Sequence, residues 1–210
     1  MTQRSALSGQ SPTSIEEYLR FELDAEQKHE FENGRIIGMA GATGEHSLIT
    51  MNLGAELRGA LKGKPCRVYD GNLRVRIHRR AIYRYPDLQV ICGEVQYDPD
   101  DTRNMSALNP RLLVEVLSPS TEAYVRGEKF RQYRQVPSLR EYVLVSQHAP
   151  VIECFFMQED GTWALATYQD LQVQAWFRSM DVKVAMSEVF AGITFPPEKD
   201  ESEARERLEG

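Results

Sequence analysis

The stretch RLLVEVLSPST, residues 111–121, narrows the possible folds more than any other part of the chain. Five of the six residues from Leu112 to Leu117 are large and apolar, the pattern of a strand covered on both faces. The sixth, Glu115, stands in the middle. A buried carboxylate without a partner costs several kcal/mol, so this one must be neutralised, protonated or bound to a cation. The plain alternative is an edge strand with Glu115 turned to water, but such a strand would alternate between apolar and polar residues.

Two further positions complete a candidate constellation. Tyr85-Pro86-Asp87 precedes the apolar run Leu88 to Cys92, which places an aspartate at the mouth of a second strand. If the two strand ends are adjacent, Asp87 and Glu115 converge, and two acids sharing a site repel unless a divalent cation lies between them. For Asp87 alone, a turn aspartate bonding its own backbone is the plain reading. The third position is Lys129. On a helix from about residue 120 to 135, Glu122, Arg126, Lys129, Phe130 and Tyr133 fall on one side. The aromatics should pack on the sheet, letting the Lys129 stem run along them to a polar spot. A solvated lysine on a charged helix is the competing reading.

The rest of the chain supplies the frame. A lead rich in Ser, Thr, Gln and Gly (residues 1–13) is expected to be disordered. Ser14-Ile-Glu-Glu17 matches a capping box opening a short helix. Asn33-Gly34 predicts a hairpin turn between Phe31 and Ile36–Met39. A Gly-rich loop then leads into a helix over 45–61, with Leu48, Ile49, Leu53, Leu57 and Leu61 at helical spacing. CRVYD, LRVRI, DLQVIC, RLLVEVL and EYVLVS read as strands, and Ser120 as a helix cap. VIECFFM, TWALATY and VQAWF read as a meander with an Asp160-Gly161 turn. The expectation is one α/β or α+β domain over 14–195, with a mixed sheet and a helical crossover between strands 111–117 and 141–146.

Composition bounds the function. With 41% hydrophobic and 27% charged residues, the chain is that of an ordinary globular protein. No apolar run approaches the roughly 20 residues of a membrane span, and no signal-peptide core opens the chain, so a cytoplasmic protein is expected. Cys66, Cys92 and Cys154 are scattered among apolar residues, which favours reduced buried thiols over a disulfide. The net charge of −6 argues against a polyanionic partner, yet the tail 196–210 holds six acids and three bases, hence −3 of it. Between Leu73 and Tyr85 stand five arginines and no acid. Arg74 and Arg76 share a strand face and are expected to meet phosphates, with Arg126 beside them and Arg79 and Arg80 on a turn. The Gly41–Ser47 loop lacks the ending of a phosphate loop, and Ser118 and Ser120 lack a nucleophile-elbow frame.

Tyr85-Pro-Asp87, Leu113-Val-Glu115-Val-Leu-Ser-Pro-Ser-Thr121, Arg126-Gly-Glu-Lys129-Phe and Pro137-Ser-Leu-Arg-Glu-Tyr-Val-Leu-Val145 resemble a bacterial restriction-endonuclease-like family of the PD-(D/E)XK nuclease superfamily. The resemblance extends to Lys28-His-Glu-Phe-Glu-Asn-Gly34, Gly44-Glu-His46 and Asn72-Leu-Arg-Val-Arg76, and covers about residues 14–195. It implies a mixed central sheet flanked by helices, and Mg²⁺- or Mn²⁺-dependent hydrolysis of DNA phosphodiesters. By the same resemblance, Asp87, Glu115 and the Val116 carbonyl hold the metal, and Lys129 is the family's lysine moved to the next helix. Glu30 matches an early acid in a Glu-x-x-[Asp/Asn]-Gly pattern, and His46 a further recurring position. Two positions depart from the family: Val125 and Asn72 stand where aspartates are common. A homodimer or higher homo-oligomer is expected by analogy. The alternatives are a degenerate relative that binds nucleic acid or a partner protein without cutting, and a structural oligomer with a buried ion network.

Overall fold

β8 (Leu112–Leu117) is buried at every residue because both of its faces are covered. Leu112, Val114 and Val116 belong to one core with Ile49, Leu53 and Leu57 of α2 (Gly44–Ala60). Leu113 and Leu117 belong to another, with Tyr133, Tyr142 and Leu144. Alternation therefore turns Glu115 toward the second core. The computed structural model describes residues 13–77, 81–118 and 122–195. The expectations for the N-terminal lead, Arg79, Arg80, the Ser120 cap and the acidic tail lie outside the described residues.

Two sheets organise these faces. The larger has six strands in the order β11-β10-β9-β8-β6-β3, formed by Trp163–Tyr168, Ile152–Met157, Glu141–Ser146, β8, Leu88–Cys92 and Cys66–Asp70. β8 pairs with β9 in parallel, through the helical crossover expected from the sequence, and antiparallel with β6. The smaller sheet runs β2-β1-β5-β4-β7, over Arg35–Gly38, His29–Glu32, Ile82–Arg84, Arg74–Ile77 and Ser106–Ala107. Its first hairpin turns at Asn33 and Gly34, with φ of 48° and 87°, the left-handed pair such a turn demands. α1 (Ile15–Asp24) begins with the expected capping box: Ser14 and Glu17 each accept the other's backbone N–H.

The structure corrects the expected meander and the expected state of the cysteines. The meander ends at β11; β12 (Gln174–Phe177) pairs instead with β13 (Val182–Ala185) in a separate hairpin against α2 and α5 (Met186–Val189). Cys66 and Cys92 are disulfide-bonded, where free thiols were expected. They are direct partners across β3 and β6, a register that spacing along the chain could not reveal. Cys154 is free and buried, as expected.

Candidate active site

The site lies where the two sheets meet. Leu88 of β6 pairs with Val114 of β8, so the antiparallel register brings Asp87 beside Glu115. The Asp87 N–H donates to the Val114 carbonyl at 3.1 Å, and the Val116 N–H donates to Asp87 Oδ2 at 2.7 Å. Asp87 is thus locked to the strand that carries Glu115. His46, in the first turn of α2, places Nε2 3.2 Å from Asp87 Oδ2. Burial opposes protonation of this imidazole, but the Asp87 hydrogen bond and charge, with Glu115 behind, outweigh it and raise its pKa.

Lys129 reaches the same point from the crossover. The helix there is α3 (Glu122–Tyr124), a π turn (Val125–Lys129) and α4 (Phe130–Tyr133). Residues four apart on a straight α-helix drift by about 40°. The wider π turn reduces that drift, and Val125, Lys129 and Tyr133 all point inward and are buried. Phe130 stacks on Tyr142 with ring centroids 5.1 Å apart, fixing the helix to β9 as the aromatic spacing predicts. The Lys129 ammonium lies 2.7 Å from Glu115 Oε1 and 3.3 Å from Glu30 Oε1. Tyr133 also donates its hydroxyl to Glu115 Oε1, at 3.0 Å.

These groups set each other's charge. Burial pushes the Glu115 carboxyl up to about 7 against the pull of Lys129, and Asp87 adds to the rise. Burial works against the Lys129 ammonium, but Glu115 and Glu30 more than offset it and hold its pKa above the ordinary lysine range.

Glu30 comes from β1 of the smaller sheet and is itself braced. The fully buried Arg84 donates to Glu30 Oε2 at 3.0 Å, to Glu32, and to the side-chain oxygen of Gln132. Gln132 in turn donates to Glu32 and Glu128. In the sequence Arg84 is one of five arginines in a basic stretch, and nothing there singles out Gln132. Their signal was faint: Arg84 stands two residues before the Pro-Asp pair, and Gln132 three after Lys129.

Arg74 and Arg76 do not stand open as a phosphate-binding face. Both are buried. Arg74 pairs with Asp101 at 2.8 Å and lies over the rings of Tyr18, Tyr83 and Tyr85; Arg76 pairs with Asp98 and Asp100. A loop carrying three aspartates folds back over β4 and neutralises a face that looked basic because its acids lie 22 to 27 residues downstream. Both guanidiniums are thus engaged by carboxylates and largely closed to solvent. Arg126 is about one-third exposed and tied to Glu122 and Glu153. Val125 packs in the core, and Asn72 donates to Asp70 at 2.7 Å rather than to the site.

A mixed sheet with two acids at adjacent strand ends and a buried lysine defines a restriction-endonuclease-like fold. The same fold is seen in a putative nuclease belonging to DUF820 from Anabaena variabilis, with a TM-score of 0.70 over 87% of this chain and 100% of that one, at 15% identity. The chain belongs to the Uma2 family, described as putative restriction endonucleases, whose family model matches residues 15–187. Two uncharacterized proteins of Synechocystis sp. are similar along most of their length. One, slr1290, is 36% identical over 87% of this chain and 93% of its own; the other, sll1609, is 32% identical over 79% and 93%.

Proposed function

We propose that the chain is a divalent-metal-dependent endonuclease that hydrolyses phosphodiester bonds in DNA. The observation that carries this reading is the Lys129 ammonium, buried 2.7 Å from Glu115 beside a second carboxylate at the strand ends. Buried charges cost stability, and such costs cluster where chemistry needs them.

The residues fit a hard cation. Asp87 and Glu115 offer carboxylate oxygens whose mutual repulsion, part of what holds Glu115 near 7, a divalent ion would relieve. Among the described residues, no three or more His, Cys, Asp or Glu side chains form a metal cage. Mg²⁺ does not need one, since it commonly takes one or two carboxylates and keeps several waters. Asp87, Glu115 and the Val116 carbonyl are the proposed holders of Mg²⁺ or Mn²⁺. When bound, the cation supplies polarisation of the scissile phosphate and a more acidic water. Lys129 donates to the phosphate oxygen on which negative charge grows. Glu30 keeps the ammonium aimed, Tyr133 orients Glu115, and His46 orients Asp87. Action as a pair of chains on two strands is part of the same proposal.

The test is cleavage of duplex, nicked and single-stranded DNA with Mg²⁺ or Mn²⁺, by the wild type, Asp87→Ala and Lys129→Ala. Metal-dependent cutting is expected. Asp87→Ala should abolish it, and Lys129→Ala should lower it by about 10²–10³-fold. A Lys129→Ala protein that cuts at the wild-type rate overturns the assignment. A second reading, binding without cutting, is favoured by the hydrogen bonds already engaging Asp87 Oδ2 and Glu115 Oε1. It predicts DNA affinity with no cleavage under any metal.

A further inference from the structure

Beside the site, α2 and the edge strand β3 enclose an open groove of about 1040 Å³. Gly54, Val68, Tyr69 and Leu88 are among the residues that line it. One end reaches Asp70 and Leu88, next to Asp87. The charged residues along it are Arg58, Lys62, Lys64 and Arg67 against the single carboxylate of Asp70, in a chain whose net charge is −6. Lys64 is tied to the carbonyls of Met180 and Asp181. Arg58, Lys62 and Arg67 are exposed, and none of them is paired with a carboxylate among the described residues. Arg58 stands in the last turn of α2, about 18 Å along its axis beyond His46, and Lys62 in the turn just past the end of the helix.

We propose that this groove is a track for one nucleic-acid strand, whose phosphates meet Arg58, Lys62 and Arg67 as it runs into the Asp87–Glu115 site. The inference rests on the nuclease reading of that site. Exposed cations beside apolar and aromatic lining residues suit a single strand, which presents phosphates and unstacked bases together. A duplex, with its bases inside, has no use for the apolar lining. These contacts fall several nucleotides from the scissile bond.

The measurement is fluorescence anisotropy of a labelled oligothymidylate of about 20 nucleotides, longer than the roughly 4–16 a single-strand groove takes up. It is run in EDTA over a salt series, with wild type and the triple variant Arg58→Ala/Lys62→Ala/Arg67→Ala. Far-ultraviolet circular dichroism and the unfolding midpoint, expected unchanged at these exposed positions, check the fold. The variant should bind at least 10-fold more weakly. Its log-affinity against log-salt slope should be shallower by about two, from three lost phosphate contacts at roughly 0.7 each. Equal affinity and slope in the two proteins overturn the groove, even if the wild type cuts DNA. Loss of binding in the variant upholds it, even if no cleavage is ever seen. Wild-type binding to a poly-glutamate peptide as tight as to the oligonucleotide would point to an acidic protein and overturn the nucleic-acid assignment.

Discussion

Glu115 and Glu141 are both buried carboxylates on neighbouring strands, and their surroundings give them different work. Glu115 is met by an ammonium and a phenol at the open end of the sheet. Glu141, at the start of β9, accepts the backbone N–H groups of Arg178 and Ser179 at 3.1 and 2.9 Å, and so fastens the turn Arg178–Met180 to the sheet. A Glu141→Gln substitution turns an amide N–H₂ toward one of these donors and should cost about 1–3 kcal/mol in urea unfolding. The cost should depend on pH. Burial raises the Glu141 carboxyl above its ordinary 4.5, and the two N–H bonds only partly offset this. A group raised on folding contributes most below its unfolded pKa, and that contribution fades as pH rises through the folded value. The gap between wild type and Glu141→Gln should therefore narrow as pH rises above the ordinary carboxyl value of 4.5. A gap that widens would show that the N–H pair, not burial, governs this carboxyl.

At the scale of elements, β3 is the strand on which the proposed track depends. As an edge strand it has one ladder, to β6, and the Cys66–Cys92 bond is its second tie. The two cysteines are 26 residues apart, and closing a loop of that length in the unfolded chain should stabilise the fold by about 3–4 kcal/mol. Unfolding with and without dithiothreitol measures this, with Cys66→Ser as a control that reduction should leave unchanged. Equal midpoints for the oxidised and reduced wild type would show that the bond adds nothing. The crossover helix makes the complementary case. Its aromatic face was legible as spacing, because Phe130 and Tyr133 recur at helical intervals. Its π turn was not, because the wider turn follows from packing against β9 and from the Tyr142 hydroxyl, which donates to the Val125 carbonyl at 3.2 Å.

At the scale of the whole molecule, the site belongs to no single element. Asp87 and Glu115 come from the larger sheet, Glu30 and Arg84 from the smaller, Lys129 from the crossover and His46 from the start of α2. A ligand that joins these parts binds the folded chain alone and stabilises it by mass action, by about 2.7 kcal/mol at 100 times its dissociation constant. Mg²⁺ should therefore raise the unfolding midpoint of the wild type, and Asp87→Asn should abolish the rise. A midpoint that ignores Mg²⁺ and Mn²⁺ in the wild type would count against the metal reading before any DNA is added.

Much of this could be read from the chain alone, because the strongest signals were local. An apolar run with one acid identified β8, a Pro-Asp pair identified the mouth of β6, and helical spacing turned Lys129 toward the sheet. Register and coverage were decided only in three dimensions. Charge counted along a segment says nothing of the acids a distant loop brings over it, so Arg74 and Arg76 looked like a phosphate-binding face and are instead enclosed by Asp98, Asp100 and Asp101. Pairing of β3 with β6 likewise set Cys66 opposite Cys92. Patterns within a few residues reflect the bonding needs of one strand or helix; which strands become neighbours depends on burying all their faces at once.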